Sequence, residues 1–495
     1  MRYNTISKYF YSCFLSLEIG CLLCFSVDAQ QSSTLYLMHS LPQANYLNPA
    51  VQIPCKVFVG FPLLSSVHVN YSNTFFSYND VINSGSDGLV HFNPNYFLKS
   101  AGSKQQISVE LFETLLNFGF LYNDYYFNFN IEDKIDVAVN YPVNVISLAL
   151  RGNTPYVGEK HDLSGLKVSA TYYREWAFGV SKVIDNQLTL GVKAKIIFGK
   201  ASVRSPQSDV FLSTSDPKFY LTASSNLQLN ASPIDITISD HGRVTSAKLP
   251  AGTTPVSFLL NRQNKGGAVD FGAIYKYNSK ITLMASLLDL GLIYWQTNPI
   301  QIKEKSEFEF NGITFNPVTN TIDNINQLRD DYRNNLKFTS AVKPYFAALS
   351  PKLYMAGTYD IFTKVNAGLT IRNQLNYGKL LSSATASVNA QYKKYLAGSL
   401  SWSYINGSFM NVGAGLSMRT PNFGFYAISD NVYGAFKYKS ARLINLRFGF
   451  NFLFGCSTCN KKANINTIGC AVYRDEQMHN DRMKRLREKL NKQSK

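Results

Sequence analysis

Charged residues and long apolar runs are both scarce in this chain. Of its 495 residues only 16% are charged, whereas soluble domains carry about 25%. No stretch after the first thirty residues is apolar over the roughly 18 positions that a spanning helix needs. Aromatic residues, by contrast, make up 14% of the chain. This composition excludes a disordered chain, disfavours a soluble globule and favours a transmembrane β-barrel.

Apolar and polar residues alternate in segments of roughly ten residues, the length of a tilted membrane strand. From Leu188 to Phe198 the even positions are apolar, while Lys193 and Lys195 stand at odd positions. A helix does not separate those two sets, because its repeat is about 3.6 residues. The same alternation recurs at residues 365–372, 387–392, 396–404, 411–418 and 445–454.

The alternation does not itself say which face is buried, since a soluble sandwich alternates as well. Three features favour lipid on the outside: a polar face rich in Asn, Ser, Thr and Gly, aromatic residues near strand ends, and an export signal. The aromatics assigned to interfacial girdles are Tyr392, Tyr395, Trp402, Tyr404 and Tyr426. The predicted fold class is all-β, an antiparallel up-and-down transmembrane barrel of about 14 strands.

Some stretches do not alternate and are predicted to be long loops on the outer side of the membrane. They are residues 80–106, 206–217, 239–265 and 303–335. Val143 to Leu150, which follows Pro142, is predicted to form a short helix.

The first residues have the pattern of a secretory signal. Arg2 and Lys8 form a basic region, and Val27 and Ala29 are the small residues expected before a cut at Gln30. The predicted domains are a signal peptide at 1–29, a periplasmic or plug segment at 30–56, the barrel at 57–455 and a basic tail at 456–495. The tail is predicted to contain a short helix in the periplasm.

Four cysteines remain after the signal is removed, in a compartment that permits disulfides. They are Cys55, Cys456, Cys459 and Cys470. The first and last strands of a closed barrel are neighbours, so Cys55 and Cys456 are expected to pair, with Cys459 bonded to Cys470. A zinc site built from all four is the alternative, because Cys456 and Cys459 have CxxC spacing. Disulfides are favoured because the second half of a zinc pattern is missing.

Residues 456–495 hold ten Lys or Arg against four Asp or Glu, in a chain of net charge +17. An apolar stripe at helical spacing runs through this basic segment, and the residues assigned to a docking helix are Met483, Arg485, Leu486 and Leu490. Either the helix is simply solvated, or it docks an acidic periplasmic partner. Nucleic acid is not expected as a partner, because an exported chain does not meet it.

The sequence contains little evidence of a catalytic site. His68 near Ser65 and Ser66 is the one nucleophilic candidate, and Asp270 with Asp289 is the one candidate pair of carboxylates. Polar wall positions or bulges explain both sets better. We therefore expect no enzymatic activity, no cofactor and no metal.

The last alternating segment matches the signal that the barrel-assembly machinery recognises on the terminal strands of outer-membrane proteins. In that pattern a polar residue is followed two positions later by glycine and then by two hydrophobic residues separated by one. Arg447, Gly449, Phe452 and Phe454 supply it here. The assembly machinery is accordingly an expected partner.

Two short motifs remain. Leu47-Asn48-Pro49-Ala50 follows the signal and is expected to be a turn or a docking element. The second motif is Gly266-Gly267 with Asp270, which is followed further along the chain by Asp289 and Gly291. The glycine pair lacks the strand–loop–helix context of a phosphate-binding loop and is expected to form a β-turn.

These motifs resemble an uncharacterised Bacteroidota family of outer-membrane barrels that is related to the PorP/SprF group of type IX secretion and gliding proteins and to FadL-like channels. The resemblance implies a non-enzymatic barrel that acts through partners in the outer membrane. The expected partners are periplasmic lipoproteins or a secreted adhesin, in addition to the outer-membrane lipid. Separately from the resemblance, the positive charge of the barrel and loops favours anionic lipopolysaccharide or anionic solutes. The alternative is a FadL-like channel for small or hydrophobic solutes.

Overall fold

The computed structural model describes residues 32–53, 55–74, 77, 83–84, 90–91, 98, 104–216, 220–239, 244–310, 315–316, 321–322, 338–392, 395–405 and 408–456. The predicted signal peptide and the basic tail after Cys456 lie outside the described residues. So do Cys459, Cys470, Met483, Arg485, Leu486 and Leu490.

Fourteen antiparallel strands of the described residues close into one barrel, which confirms the predicted fold class and strand number. Each strand pairs with the next along the chain, and the last pairs with the first. The strands are β1 (Val57–Gly60 and Val67–Asn73), β2 (Lys104–Tyr122), β3 (Tyr125–Pro142), β4 (Lys167–Val183), β5 (Leu188–Thr214), β6 (Asn264–Lys276), β7 (Ile281–Trp295), β8 (Tyr345–Ala348 and Lys352–Phe362), β9 (Val365–Asn376), β10 (Lys379–Tyr392), β11 (Leu396–Ile405), β12 (Ser408–Arg419), β13 (Phe423–Ser429) and β14 (Leu443–Phe454).

The two ends of the barrel differ in their connections. At one end the strands are joined by tight turns, such as residues 123–124 and 363–364, and Val57 of β1 lies opposite Phe454 of β14. We call this the short-turn end, which membrane barrels place in the periplasm. The opposite, long-loop end carries the longer connections.

The two faces of the wall have opposite polarity. On β5 the outward Val192 and Ile196 are 39% and 50% exposed, whereas the inward Lys193 and Lys195 are 2% and 6% exposed. Apolar side chains therefore point outward, as the alternation predicts for a barrel in lipid. Tyr392, Tyr395 and Trp402 are exposed as expected for girdle residues.

The assignment of Tyr426 to a girdle is wrong. The residue is fully buried in the lumen, where its hydroxyl donates to the Ser65 carbonyl oxygen at 3.0 Å. Its place in the strand decides this, because Phe425 and Phe423 take the outward positions of β13.

A sheet extends the wall beyond the barrel at the long-loop end. The upper half of β5 pairs with Leu221–Ser232, which pairs in turn with Ile300–Phe310 and then with Phe338–Val342; Lys160–Asp162 pairs with the other edge of β5. The predicted loops at 206–217 and 303–335 are therefore wrong over 206–214 and 303–310, which are strands. Both faces of these stretches carry polar residues, so the alternation that identifies membrane strands is lost there.

The predicted loop at 239–265 also contains regular structure. Val244–Lys248 pairs with Asp235–Ile238, a helix spans Pro255–Leu260, and β6 already begins at Asn264. The prediction of an unstructured loop is therefore wrong over these residues. Further two-residue hairpins pair Asn83–Ser84 with Val90–His91 and Phe315–Asn316 with Thr321–Ile322.

The helices are short. They are α1 (Ser33–Tyr36), α2 (Val143–Arg151), α3 (Pro255–Leu260) and α4 (Val432–Phe436), with 3-10 turns at Pro42–Tyr46, Thr154–Tyr156 and Tyr438–Ser440. Helix α2 confirms the helix predicted after Pro142. None of the helices in the described part of the chain is long and apolar enough to cross a membrane.

Candidate functional site

Residues 32–53 fold inside the barrel, and we call them the plug. Leu35, Tyr36 and Ala44 are completely buried, and they form one apolar cluster with inward wall residues such as Tyr354. The rings of Tyr36 and Tyr354 stack with their centroids 4.8 Å apart. The segment predicted to be periplasmic or a plug thus lies, over its described part, within the lumen.

Hydrogen bonds attach the plug to several sides of the wall. The buried Asp430 carboxylate, just after β13, accepts the backbone N–H groups of Ser32 and Thr34 at 3.0 and 2.9 Å. Gln43 and Asn451 of β14 exchange two amide hydrogen bonds, of 2.8 and 3.1 Å. The plug is consequently bound as a folded part of the barrel.

The Leu47-Asn48-Pro49-Ala50 motif forms a turn inside the plug. The Asn48 side chain accepts the Ala50 N–H at 3.0 Å and donates to the Tyr36 hydroxyl at 3.2 Å. Tyr36 contacts Ser286 of β7, whose hydroxyl donates to the Leu47 carbonyl oxygen at 2.6 Å. The motif therefore binds the wall from within the lumen and does not lie in the periplasm.

Glycines of the wall make room for this turn. A Cβ atom on Gly272 of β6 would lie 2.8 Å from the Ala50 nitrogen and 2.9 Å from Pro49 Cδ. A Cβ atom on Gly191 of β5 would overlap the Pro49 carbonyl group. Glycine at these two strand positions thus permits a close backbone approach.

Buried side chains of alternating charge line the wall from β8 to β3, and we call them the lumen ion chain. Lys352 Nζ lies 2.8 Å from one Asp289 oxygen, and Lys195 Nζ lies 2.6 Å from the other. Lys195 Nζ also lies 2.8 Å from an Asp270 oxygen. Each carboxylate of this half is therefore paired with a lysine.

The second half of the lumen ion chain continues through β4 to β3. Glu175 lies between two lysines, with its oxygens 3.9 Å from Lys195 Nζ and 2.8 Å from Lys134 Nζ. Lys134 Nζ is also 3.3 Å from Glu132. All of these side chains point inward, and all except the partly exposed Lys352 are almost completely buried, so their charges are balanced against one another.

The two predicted carboxylates do lie together, but they are not a free acid–base pair. The Asp289 N–H donates to Asp270 Oδ1 at 2.7 Å, and Asp289 has φ of 58° at an irregularity in the β6–β7 pairing. Their contacts with Lys195 support the interpretation that Asp270 and Asp289 are polar lumen side chains at a β-bulge.

The expectation of a turn at Gly266-Gly267 is wrong. Both glycines lie within β6, where Gly267 pairs with Leu292 and the adjacent Ala268 pairs with Gly291. A β-turn is excluded because these residues take part in two regular ladders, one with β5 and one with β7.

His68 is not joined to a serine. Its Nε2 lies 3.9 Å from Glu110 Oε2, while Ser65 donates to Asn451 and Ser66 accepts from Arg447. Within the described ranges, no three His, Cys, Asp or Glu residues are arranged to hold a metal ion.

A disulfide between Cys55 and Cys456 joins the end of the plug segment to the end of β14. These two sulfurs are therefore not free thiolate ligands for the alternative four-cysteine zinc site. In β14, Arg447 and Gly449 face the lumen, whereas Phe452 and Phe454 face outward. Recognition of these four residues by the assembly machinery stays a prediction.

Strands β8 and β9 separate at Pro351. Lys352–Phe362 pairs with both β7 and β9, whereas the Tyr345–Ala348 segment pairs with β7 and with no other strand of the described residues. A cavity of about 300 Å³ lies at this separation, and we call it the side pocket. It is lined by Lys167, Arg204, Tyr345, Phe346, Leu375 and Tyr377 among others. Phe346 and Leu375 are 68% and 49% exposed on the outer face, so the side pocket is open on that face of the wall.

The turn between β9 and β10 crosses the lumen beside this pocket. The Tyr377 carbonyl oxygen accepts from Asn140 of β3 at 3.4 Å, and its hydroxyl lies 3.5 Å from Thr171 of β4. The Arg204 guanidinium of β5 lies 4.9 Å from its ring centroid. Because these three strands are several positions away around the barrel, the turn covers part of the lumen at the long-loop end.

Sequence reasoning missed the lumen ion chain and the side pocket. The sequence does contain a signal for the lumen ion chain, because charged residues occupy the inward positions of alternating segments: Glu132, Lys134, Glu175 and Lys195. The side pocket has no such signal, because it depends on where two neighbouring strands diverge.

Comparisons with known proteins show that this chain is similar to solved β-barrel structures and to one protein family. A FadL homologue of Pseudomonas aeruginosa is 11% identical, with 87% of this chain and 99% of that chain covered and a TM-score of 0.38. The toluene transporter TodX of Pseudomonas putida is 7% identical, with 86% and 98% covered and a TM-score of 0.33. No curated protein matches the chain. A model for a family of unknown function matches residues 49–430, and the chain therefore belongs to that family, DUF5723.

Proposed function

We propose that this protein is a non-enzymatic outer-membrane barrel that acts by binding partners and not by conducting solutes along its axis. The plug is the observation that supports this most strongly. It is buried, hydrogen-bonded to several wall strands and continuous with a disulfide at the seam. An axial pore would have to displace all of these contacts.

The finer proposal is a role in a type IX secretion or gliding assembly, as the family resemblance implies. Cys456 lies at the short-turn end, and we propose that the basic tail acts on that side of the membrane. We propose that Met483, Arg485, Leu486 and Leu490 dock a periplasmic lipoprotein or a secreted adhesin there. Basic residues around an apolar stripe suit an acidic partner with an apolar groove.

Affinity purification from outer membranes tests this proposal. Full-length protein is compared with a variant that lacks residues 471–495 and with a matched variant in which Met483, Leu486 and Leu490 become Ser. The proposal predicts that both variants insert normally, shown by heat-modifiable gel mobility, but lose the same periplasmic proteins. Recovery of unchanged partners with both variants would contradict it.

The side pocket favours a second function, entry of small or hydrophobic solutes through the wall. It joins an apolar outer rim at Phe346 and Leu375 to the polar side chains of Arg204 and Tyr377. Such a route bypasses the plug.

Uptake into proteoliposomes tests this route with a labelled hydrocarbon and a labelled fatty acid. Ala348→Phe fills the rim of the pocket, and Ala386→Phe places the same ring on the outer face of β10 as a control. The second function requires uptake that falls only with Ala348→Phe. Uptake equal to that of empty liposomes would exclude it.

A further inference from the structure

Four basic residues gather on the outer side of β4, β5, β6 and the residues just before β6, and we call them the basic patch: Arg174, Lys200, Arg262 and Lys265. Arg262 and Lys265 are exposed, whereas Lys200 is 1% exposed. Register places them together, because Arg174 lies opposite Phe198, which lies opposite Lys265. The Arg262 guanidinium lies 5.6 Å from the Trp176 ring centroid and 6.0 Å from that of Phe198. All three strands thus contribute to one cationic and aromatic surface.

The segment that carries Arg262 is fixed to the wall. Lys200 occupies an irregularity in the β4–β5 pairing, and its ammonium donates to the Asn261 carbonyl oxygen at 2.5 Å. Phe258 of α3 packs on Tyr172 with ring centroids 5.9 Å apart. The patch is therefore preorganised and is not a group of freely moving surface side chains.

The basic patch lies at one edge of the apolar outer band. Lys182, whose ammonium lies 4.7 Å from the Tyr125 ring centroid, stands at the short-turn end of β4. Arg174 is eight residues further along, past the outward Trp176, Phe178 and Val180. With the rise and tilt of membrane strands this separation is about 20 Å along the barrel axis, close to the height of the apolar band. The patch accordingly sits where outer-leaflet headgroups would begin.

The patch has more positive than negative charge. Asp133 binds Arg174 through two hydrogen bonds of 2.7 Å. Among the described residues, no ion pair joins a carboxylate to Lys200, Arg262 or Lys265. Next to them α3 exposes Val256 and Leu260, at 65% and 58%. Unpaired cations beside exposed apolar side chains match an anionic amphiphile.

We propose that the basic patch binds the phosphorylated headgroup of an outer-leaflet glycolipid, with its acyl chains along the apolar wall below Trp176. The inference rests on the outer-membrane placement proposed above. The phosphate oxygens accept hydrogen bonds from Arg262 and Lys265, which are exposed. Lys200 adds its charge from beneath Asn261 and positions that segment.

Lipid binding to the full-length barrel in nanodiscs tests the proposal. The probes are bisphosphorylated lipid A, the same lipid without phosphates, phosphatidylglycerol and inorganic phosphate. The variant carries Arg262→Gln and Lys265→Gln, at exposed positions that leave the strands unchanged. Lys182→Gln, at the opposite edge of the apolar band, is the matched control, and Arg262→Lys tests for simple charge.

The proposal predicts that lipid A binds more tightly than its dephosphorylated form, and that the double variant weakens binding by about tenfold to thirtyfold. Lys182→Gln should not change it, and Arg262→Lys should keep most of it. Equal binding of both lipids, an equal loss with Lys182→Gln, or equally tight binding of inorganic phosphate would overturn it. Failure of membrane insertion, read from gel mobility, would instead reject the outer-membrane placement.

Discussion

Inward residues of this wall have polar or charged side chains that contact one another in the lumen, and Lys195 is an example. Lys195 is 6% exposed and contacts Asp270, Asp289 and Glu175. A buried ion pair contributes little by itself, but the loss of one partner leaves an uncompensated charge. Lys195 is therefore expected to be much less tolerant of change than the outward residues on either side of it.

Lys195→Met is expected to lower the free energy of unfolding by about 3–5 kcal/mol, because two carboxylates lose their nearest cation. Urea unfolding in detergent, followed by gel mobility, measures the loss. Adding Asp270→Asn to Lys195→Met should restore part of it. A Lys195→Met protein as stable as the wild type would show that the lumen ion chain is unimportant for stability.

Gly272 and Gly267 of β6 form a matched pair of sites. Gly272→Val is expected to reduce stability by about 1–3 kcal/mol, because a side chain there overlaps Pro49 and Ala50 of the plug. Gly267→Val should be nearly neutral, since a Cβ atom there meets only the Lys195 carbonyl oxygen, at 3.6 Å. Thermal unfolding of both variants makes the comparison, and equal losses would argue against a tightly packed plug.

Among the elements, the strands inside the membrane could be predicted and those beyond it could not. Along β5, Leu190 and Val192 contrast with Lys193 because one face meets lipid and the other the lumen. Past residue 204 polar residues occupy both faces of the same strand up to Asp209, and three consecutive apolar residues follow, so the contrast disappears. The Cys55–Cys456 bond could be predicted, because closure of the barrel brings the first and last strands together. The position of Asp289 at a bulge could not be predicted, because it depends on strand pairing that the sequence pattern does not contain.

Cys55→Ser removes the covalent link between the plug segment and β14. The barrel should still close, because β1 and β14 remain paired at the seam. We expect a loss of about 2–4 kcal/mol in unfolding free energy from the freed unfolded chain. Unfolding of wild type and variant with and without reductant measures it. A variant that fails to form the heat-modifiable barrel at all would contradict this account of the seam.

At the scale of the molecule, a wall with apolar side chains outward encloses a lumen that holds folded parts of the chain. The plug, the lumen ion chain and the turn at Tyr377 occupy successive parts of it. The alternation predicted the wall, and the Leu47–Ala50 motif lies where the plug meets β6. Which strands separate to form the side pocket was beyond sequence reasoning, because it depends on how β8 leaves β9.

Ion conductance across a planar lipid bilayer tests the proposed seal by the plug most directly. Wild-type protein is compared with a variant that lacks residues 32–53, after both are shown to form heat-modifiable barrels. We expect no steady conductance from the wild type and discrete, lasting steps from the variant without the plug. Steady conductance from the wild type, or a silent variant, would contradict the assignment of the seal to the plug.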